Sequence, residues 1–89
     1  VLRKDKGKFI LFIKGAPDVI LKRSSSLLLN QEIVPLSDQF KEAISTANHD
    51  LASQGLRILA VAFREVNQEN IDPSLEHDLV FIGLFAMLD

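Results

Sequence analysis

The sequence contains no cysteine, no tryptophan and no tyrosine, and it carries only three prolines, four glycines and one methionine in 89 residues. Without cysteine there is neither a disulfide framework nor a thiolate metal site. That usage suits a reducing compartment. Long apolar runs are missing as well. The longest, Leu79 to Leu88, is about half of what a bilayer-spanning helix needs. No signal-peptide pattern occurs, and no repeats or low-complexity segments are present. The formal net charge is only −2. That excludes the strong basic field of a general nucleic-acid or membrane-surface binder.

What is there is an ample supply of apolar residues, 47% of the chain. This is enough for the core of one domain, or of part of one, and argues against disorder. Val1 lies inside a strand-like run and Asp89 directly follows another, so a segment of a longer protein is expected. Charge is distributed unevenly. Arg3, Lys4, Lys6, Lys8, Lys14, Lys22 and Arg23 crowd the first quarter, opposed there only by Asp5 and Asp18. Such a cluster forms either solvated strand ends and a helix C-terminus or a local anion site.

Val1 to Lys4 and Lys8 to Ile13 read as two strands joined by Asp5-Lys6-Gly7, a short polar loop ending in glycine. Phe9 to Ile13 is apolar at every position, which predicts a central strand covered on both faces. Pro17 is suited to the first position of a helix. Asp18 early and Lys22 and Arg23 late complement its dipole, so a short helix is expected from Pro17 to about Arg23. Ser24-Ser25-Ser26 reads as a linker. Leu27 to Leu29 and Ile33 to Val34 flank Asn30-Gln31-Glu32 as a second hairpin, closed by Pro35.

Ser37 is a favourable N-cap. Phe40, Ile44, Ala47 and Leu51 then recur at helical spacing, and Gly55 supplies a stop. The helix is expected over about 38–53, with Phe40, Ile44 and Leu51 buried and His49 facing solvent. From Leu56 to Arg64 the pattern alternates as a strand. Leu56, Ile58, Ala60 and Ala62 point one way, and Arg57, Leu59, Val61 and Phe63 the other. Val66 to Glu76 is a polar loop. Asp78 to Leu88 is expected to be a long buried strand, with Gly83 admitting a close neighbour. This element order predicts an α+β two-layer fold: an antiparallel sheet with helices packed on a face.

Catalytic patterns are absent. There is no phosphate-binding G-x-x-x-x-G-K-[S/T] loop, no G-x-G-x-x-G, no G-x-S-x-G and no pair of acids placed for acid–base work. Glu76-His77-Asp78 is better read as a solvated loop than as a metal site, because adjacent residues diverge and no further histidine has suitable spacing. A binding arrangement remains. Lys14 ends an apolar strand, Gly15 opens the backbone beside it, and Arg57 shares a strand face with Leu59. Two cations and an apolar wall suit a flat ring with a charged tail.

Three stretches give this arrangement a family context. "KGAPDVIL" from Lys14 resembles the K-G-A-P-[ED] motif of the cytoplasmic nucleotide-binding (N) domain of P-type ion-transporting ATPases, with Asp18 where glutamate is commoner. "GLRILAVAFRE" from Gly55 resembles the G-x-R-x-[LI]-[AG]-x-A strand of that domain. "DLVFIGLFAMLD" from Asp78 resembles the segment that leads back into the phosphorylation domain. The order and spacing are compatible over almost the whole chain, and the resemblance is strongest to the type II, calcium-pump-like members.

The resemblance implies that residues 1–89 form a single partial domain, the C-terminal part of an N domain, whose end near 85–89 leads toward the phosphorylation domain. It implies ATP binding by Lys14 and Gly15 at the adenosine, by Arg57 at the phosphates and by Leu59 near the adenine, while Ala16 and Pro17 shape the turn. ATP would be held as Mg-ATP in the intact pump. The remaining partners would be the phosphorylation and actuator domains of the same chain, with no nucleic acid and no direct membrane contact. The setting would be the cytoplasmic side of an integral membrane protein. The family's phosphorylated aspartate in D-K-T-G-T, its magnesium-binding aspartates, and the upstream aromatic that stacks on adenine with its acidic partner are not in this sequence. No catalytic residue and no metal ligand is therefore expected here. A small α+β protein-interaction module without nucleotide binding is the alternative of another class.

Overall fold

A computed structural model describes residues 2–5, 8–66 and 77–88. Six strands and two helices follow one another as β1 (Leu2–Asp5), β2 (Lys8–Gly15), α1 (Pro17–Lys22), β3 (Ser24–Leu29), β4 (Glu32–Pro35), α2 (Asp38–Ala52), β5 (Arg57–Val66) and β6 (Leu79–Met87). They form one sheet in the order β1-β2-β5-β6-β3-β4. The expected α+β two-layer class is what the chain adopts. The sheet is nevertheless mixed, because β3 pairs with β6 in parallel while every other pair is antiparallel. The two crossovers, through α1 and through α2, cause this. Each helix carries the chain across the sheet, so the strands before and after it run the same way.

The core lies between the sheet and the helices. Leu11 and Ile13 of β2, Ala60 and Ala62 of β5, and Leu79 and Phe81 of β6 are buried against Ile20 and Leu21 of α1. The alanines are there for a reason of space: α1 packs over β5, and small side chains let its backbone come close. Pro17 opens α1, Asp18 sits in its first turn and Lys22 in its last, as the dipole favours. Ser37 caps α2 by accepting a hydrogen bond from the Phe40 amide at 3.3 Å.

Several expectations change. Ser24-Ser25-Ser26 is no linker; it opens β3, with Ser24 buried at 5% exposure and its hydroxyl donating to the Ile20 carbonyl at 2.7 Å. Phe40, Ile44 and Leu51 are half-buried, and α2 has no fully buried residue, although His49 is exposed as its helical phase requires. An apolar groove of about 450 Å³, lined among others by Leu27, Phe40, Ile44, Leu51 and Phe81, runs between α2 and the sheet. Among the described residues β2 carries helices on one face only, and Phe12 on the other is half-buried. β6 is buried only in its first half, since Phe85, Ala86 and Met87 are exposed, as is Leu88 after it. The turn Asp5-Lys6-Gly7 lies partly, and the loop before Glu76 almost wholly, outside the described residues.

Candidate functional site

Register decides which side chains share a face. In an antiparallel pair, directly opposed residues project to the same side of the sheet, and the side alternates with each residue. Ile13 opposes Ala62, and both are buried beneath the helices. Lys14 opposes Val61, one step on, and so stands on the face that the helices leave open. Leu59 and Arg57 follow Val61 at intervals of two along β5 and take that same face. The alternation of β5 seen in the sequence is thus the true one: Ala60 and Ala62 point inward, and Arg57, Leu59, Val61 and Phe63 outward.

The two cations lie at different levels. Lys14 is level with Val61, whereas Arg57 is four residues further along β5, roughly 13 Å at about 3.3 Å per residue. Leu59 lies between them. Both Lys14 and Arg57 are exposed, and Leu59 is half-buried. The resulting surface has an ammonium at one end, a guanidinium at the other and apolar side chains between. Its donor set suits a ligand with an apolar, flat body and an anionic tail, because Lys and Arg supply only donors and positive charge.

Gly15 closes β2 directly after Lys14. It opposes Ala60, on the helix-bearing side. A Cβ there would stand 3.6 and 3.7 Å from Ile20 Cδ1 and Cγ1, which is ordinary contact. The space left by its missing side chain therefore lies under α1, not beside the Lys14 amine. What Gly15 can offer to the open face is backbone only.

Sequence reasoning missed the contribution of β6. Val61 opposes Gly83, Leu59 opposes Phe85 and Arg57 opposes Met87, so β6 extends the open face by one strand. Gly83 was expected to admit a close neighbour, but among the described residues no heavy atom beyond its own chain neighbours lies within 4 Å of where its Cβ would be. A local reading of an apolar run cannot show which strand lies alongside it. The exposed second half of β6 was hidden for that reason.

Arg64 belongs to the other face, opposite Leu11. Its Nη1 donates to the His77 carbonyl at 3.1 Å, and the His77 Nδ1 lies 3.1 Å from Asp78 Oδ2. Asp78 has φ +51°, which turns the chain into β6. Among the described residues no cluster of three metal-ligating side chains occurs, and Glu76 is outside them.

The family described as P-type ATPase, cytoplasmic domain N, matches residues 1–89, the whole chain. This chain belongs to that family. The N domain is 33% identical over 86 residues to Calcium-transporting ATPase 1 of Lactococcus lactis subsp. lactis (strain IL1403), covering 94% of this chain and 10% of that protein. It is 37% identical over 93 residues to Calcium-transporting ATPase 3, endoplasmic reticulum-type, of Arabidopsis thaliana, covering 100% of this chain and 9% of that protein. It is also 33% identical over 96 residues to the Sodium/potassium-transporting ATPase subunit alpha of Tetronarce californica, covering 97% and 9%. The N domain thus spans about a tenth of the length of these relatives. Among the described residues no helix is long and apolar enough to cross a membrane.

Proposed function

We propose that this N domain holds ATP on the open face of its sheet, for phosphoryl transfer to an aspartate of another domain in a cation-transporting P-type ATPase. One observation carries the reading: the register that sets Lys14, Leu59 and Arg57 on a single face, away from the helices. Leu59 packs against the adenine, Lys14 bonds to the purine or its ribose, and Arg57 pairs with the phosphates. Arg57 suits the phosphates because a planar guanidinium presents parallel donors to them. Gly15 contributes main-chain atoms at the end of β2.

The domain's part in such a reaction is positioning and charge neutralisation, which are the main demands of phosphoryl transfer. Magnesium would arrive with the nucleotide, and the residues that would bind it belong to other domains, as does the acceptor aspartate. The bound ATP links this domain to the phosphorylation and actuator domains of the same pump on the cytoplasmic side of the membrane. Two of the relatives above are named for calcium transport, which favours a calcium-type pump.

The test is a titration of the isotope-labelled protein with Mg-ATP, followed by NMR. The amides of Lys14, Gly15 and Leu59 are expected to move together along one saturable curve, with affinity in the millimolar range or roughly tenfold tighter. Amides that stay still at several millimolar nucleotide, or that move only on the helix-bearing face, would overturn the proposal.

A further inference from the structure

Of the hydroxyl residues in the sequence, only Ser25 has cations at both the second and the third positions before it, Arg23 and Lys22. The fold treats the three consecutive serines differently. Ser24 is buried, and its hydroxyl is committed to the Ile20 carbonyl at 2.7 Å. Ser26 is half-buried and stands opposite Pro35 in the β3–β4 ladder. Ser25 is exposed, as are Lys22 and Arg23.

Ser25 is also the residue that the sheet skips. Pairing with β6 passes from Ser24 opposite Leu79 directly to Ser26 opposite Val80, so Ser25 is the extra residue of a bulge. The extra residue of a bulge stands out of the ladder, and the strand bends there. On the β4 side Ser25 precedes the first opposed pair, although its carbonyl accepts from the Leu36 amide at 3.1 Å. The chain thus leaves α1 through two exposed cations and enters an extended stretch with one exposed hydroxyl. A protein kinase selects its substrates in part by charge pattern, and acidic side chains in its substrate groove favour Arg and Lys just before the acceptor.

We propose that Ser25 is a phosphorylation site for a basophilic serine/threonine protein kinase, which recognises it through Lys22 and Arg23. In the transfer, Ser25 Oγ attacks the γ-phosphorus of the ATP held by the kinase. The bond from that phosphorus to the β–γ bridging oxygen breaks, ADP leaves, and the hydroxyl proton passes to the base of the kinase. The product carries a charge of about −2 beside two cations, which pair with it. It sits past the C-terminal end of α1, whereas Lys14 and Gly15 precede the other end, so this site does not depend on the proposed nucleotide site.

The experiment incubates the folded protein with Mg-ATP and the catalytic subunit of cAMP-dependent protein kinase, and maps the phosphate by tandem mass spectrometry. A reaction without kinase is the blank. Phosphate is expected at Ser25, to be lost in Ser25→Ala and kept in Ser26→Ala. The paired change Lys22→Gln with Arg23→Gln is expected to slow labelling by about tenfold or more, since it removes the charge that steers the segment into the groove. An unstructured peptide of residues 19–29 shows whether the folded strand is itself the substrate. If only the unfolded chain reacted, the protein would be slower than the peptide by about a thousandfold or more. A rate within about a hundredfold of the peptide is expected, and a slower one overturns the proposal. Phosphate found at Ser24 or Ser26 instead, or labelling that is indifferent to the loss of Lys22 and Arg23, overturns it as well. Both of those readouts hold even if one variant is less stable, because the site is mapped on the unmodified protein.

Discussion

Lys14 and Val61 stand directly opposite one another on β2 and β5, and this pairing fixes the side of the sheet on which the lysine works. Shifting the register by one residue would turn Lys14 under the helices, with Arg57 left behind on the other face. Ile13 and Ala62, buried one step away, prevent that shift. The core pattern therefore determines the geometry of the candidate site.

Lys14→Ala is expected to weaken ATP binding about tenfold, equivalent to about 1.4 kcal/mol for a lost charge-assisted contact. Stability should change by less than about 0.5 kcal/mol, since the side chain is exposed. Paired thermal melts and nucleotide titrations check both halves. A large loss of stability with unchanged binding would show that the lysine serves the fold.

Gly15→Ala separates a backbone role from a steric one. The added methyl meets Ile20 at ordinary contact distance on the side away from Lys14. ATP affinity is expected to change less than threefold, and the melting temperature only slightly. A tenfold loss of affinity would show that the ligand reaches the Gly15 Cα from the helix side.

Much of this fold can be read locally. Ser37 and the spacing of Phe40, Ile44 and Leu51 mark α2, and the alternation from Arg57 to Phe63 marks β5 with its correct faces. What could not be read depends on partners distant in sequence. Serines favour turns as readily as strands. Ser24 joins a strand because Leu79 lies beside it, with the Leu79 amide donating to the Arg23 carbonyl at 3.0 Å. The parallel pairing of β3 with β6 leaves no local pattern for the same reason. In the candidate site, the shared face of Arg57 and Leu59 was legible within one strand. The position of Lys14 relative to them, and the presence of Gly83 and Phe85, required the register between strands.

Ile20 and Ile44 allow the core to be mapped by contrast. Ile20 is 2% exposed between α1 and the sheet, so Ile20→Ala should cost about 2–5 kcal/mol. Ile44 was expected to be buried, but it is only partly so, beside the apolar groove. Most of its side chain is still covered, so Ile44→Ala should cost about 2 kcal/mol, the low end of the range for truncating a buried aliphatic residue. Chemical denaturation of both variants measures the difference. Equal costs would mean that α2 seats more tightly in solution than its open flank suggests.

The β3–β4 hairpin offers a stabilising change. Leu29 opposes Glu32, so Asn30 and Gln31 form a two-residue loop. Their φ values are +50° and +69°, the left-handed pair that a type I′ turn requires. Asparagine tolerates that conformation, but glutamine has no local hydrogen bond to compensate for its Cβ clash, which costs about 1–2 kcal/mol. Glycine removes the clash but loses more chain entropy on folding, roughly 0.5–1 kcal/mol. Gln31→Gly is therefore expected to raise stability by about 0.5–1 kcal/mol. The loop lies at the sheet edge farthest from Lys14, four strands away from β2 in the order β2-β5-β6-β3-β4, so nucleotide binding should not change. Urea denaturation of the variant beside the unmodified protein checks the prediction. A midpoint that falls would mean that the hairpin adopts a different turn in solution, with Gln31 out of the left-handed region.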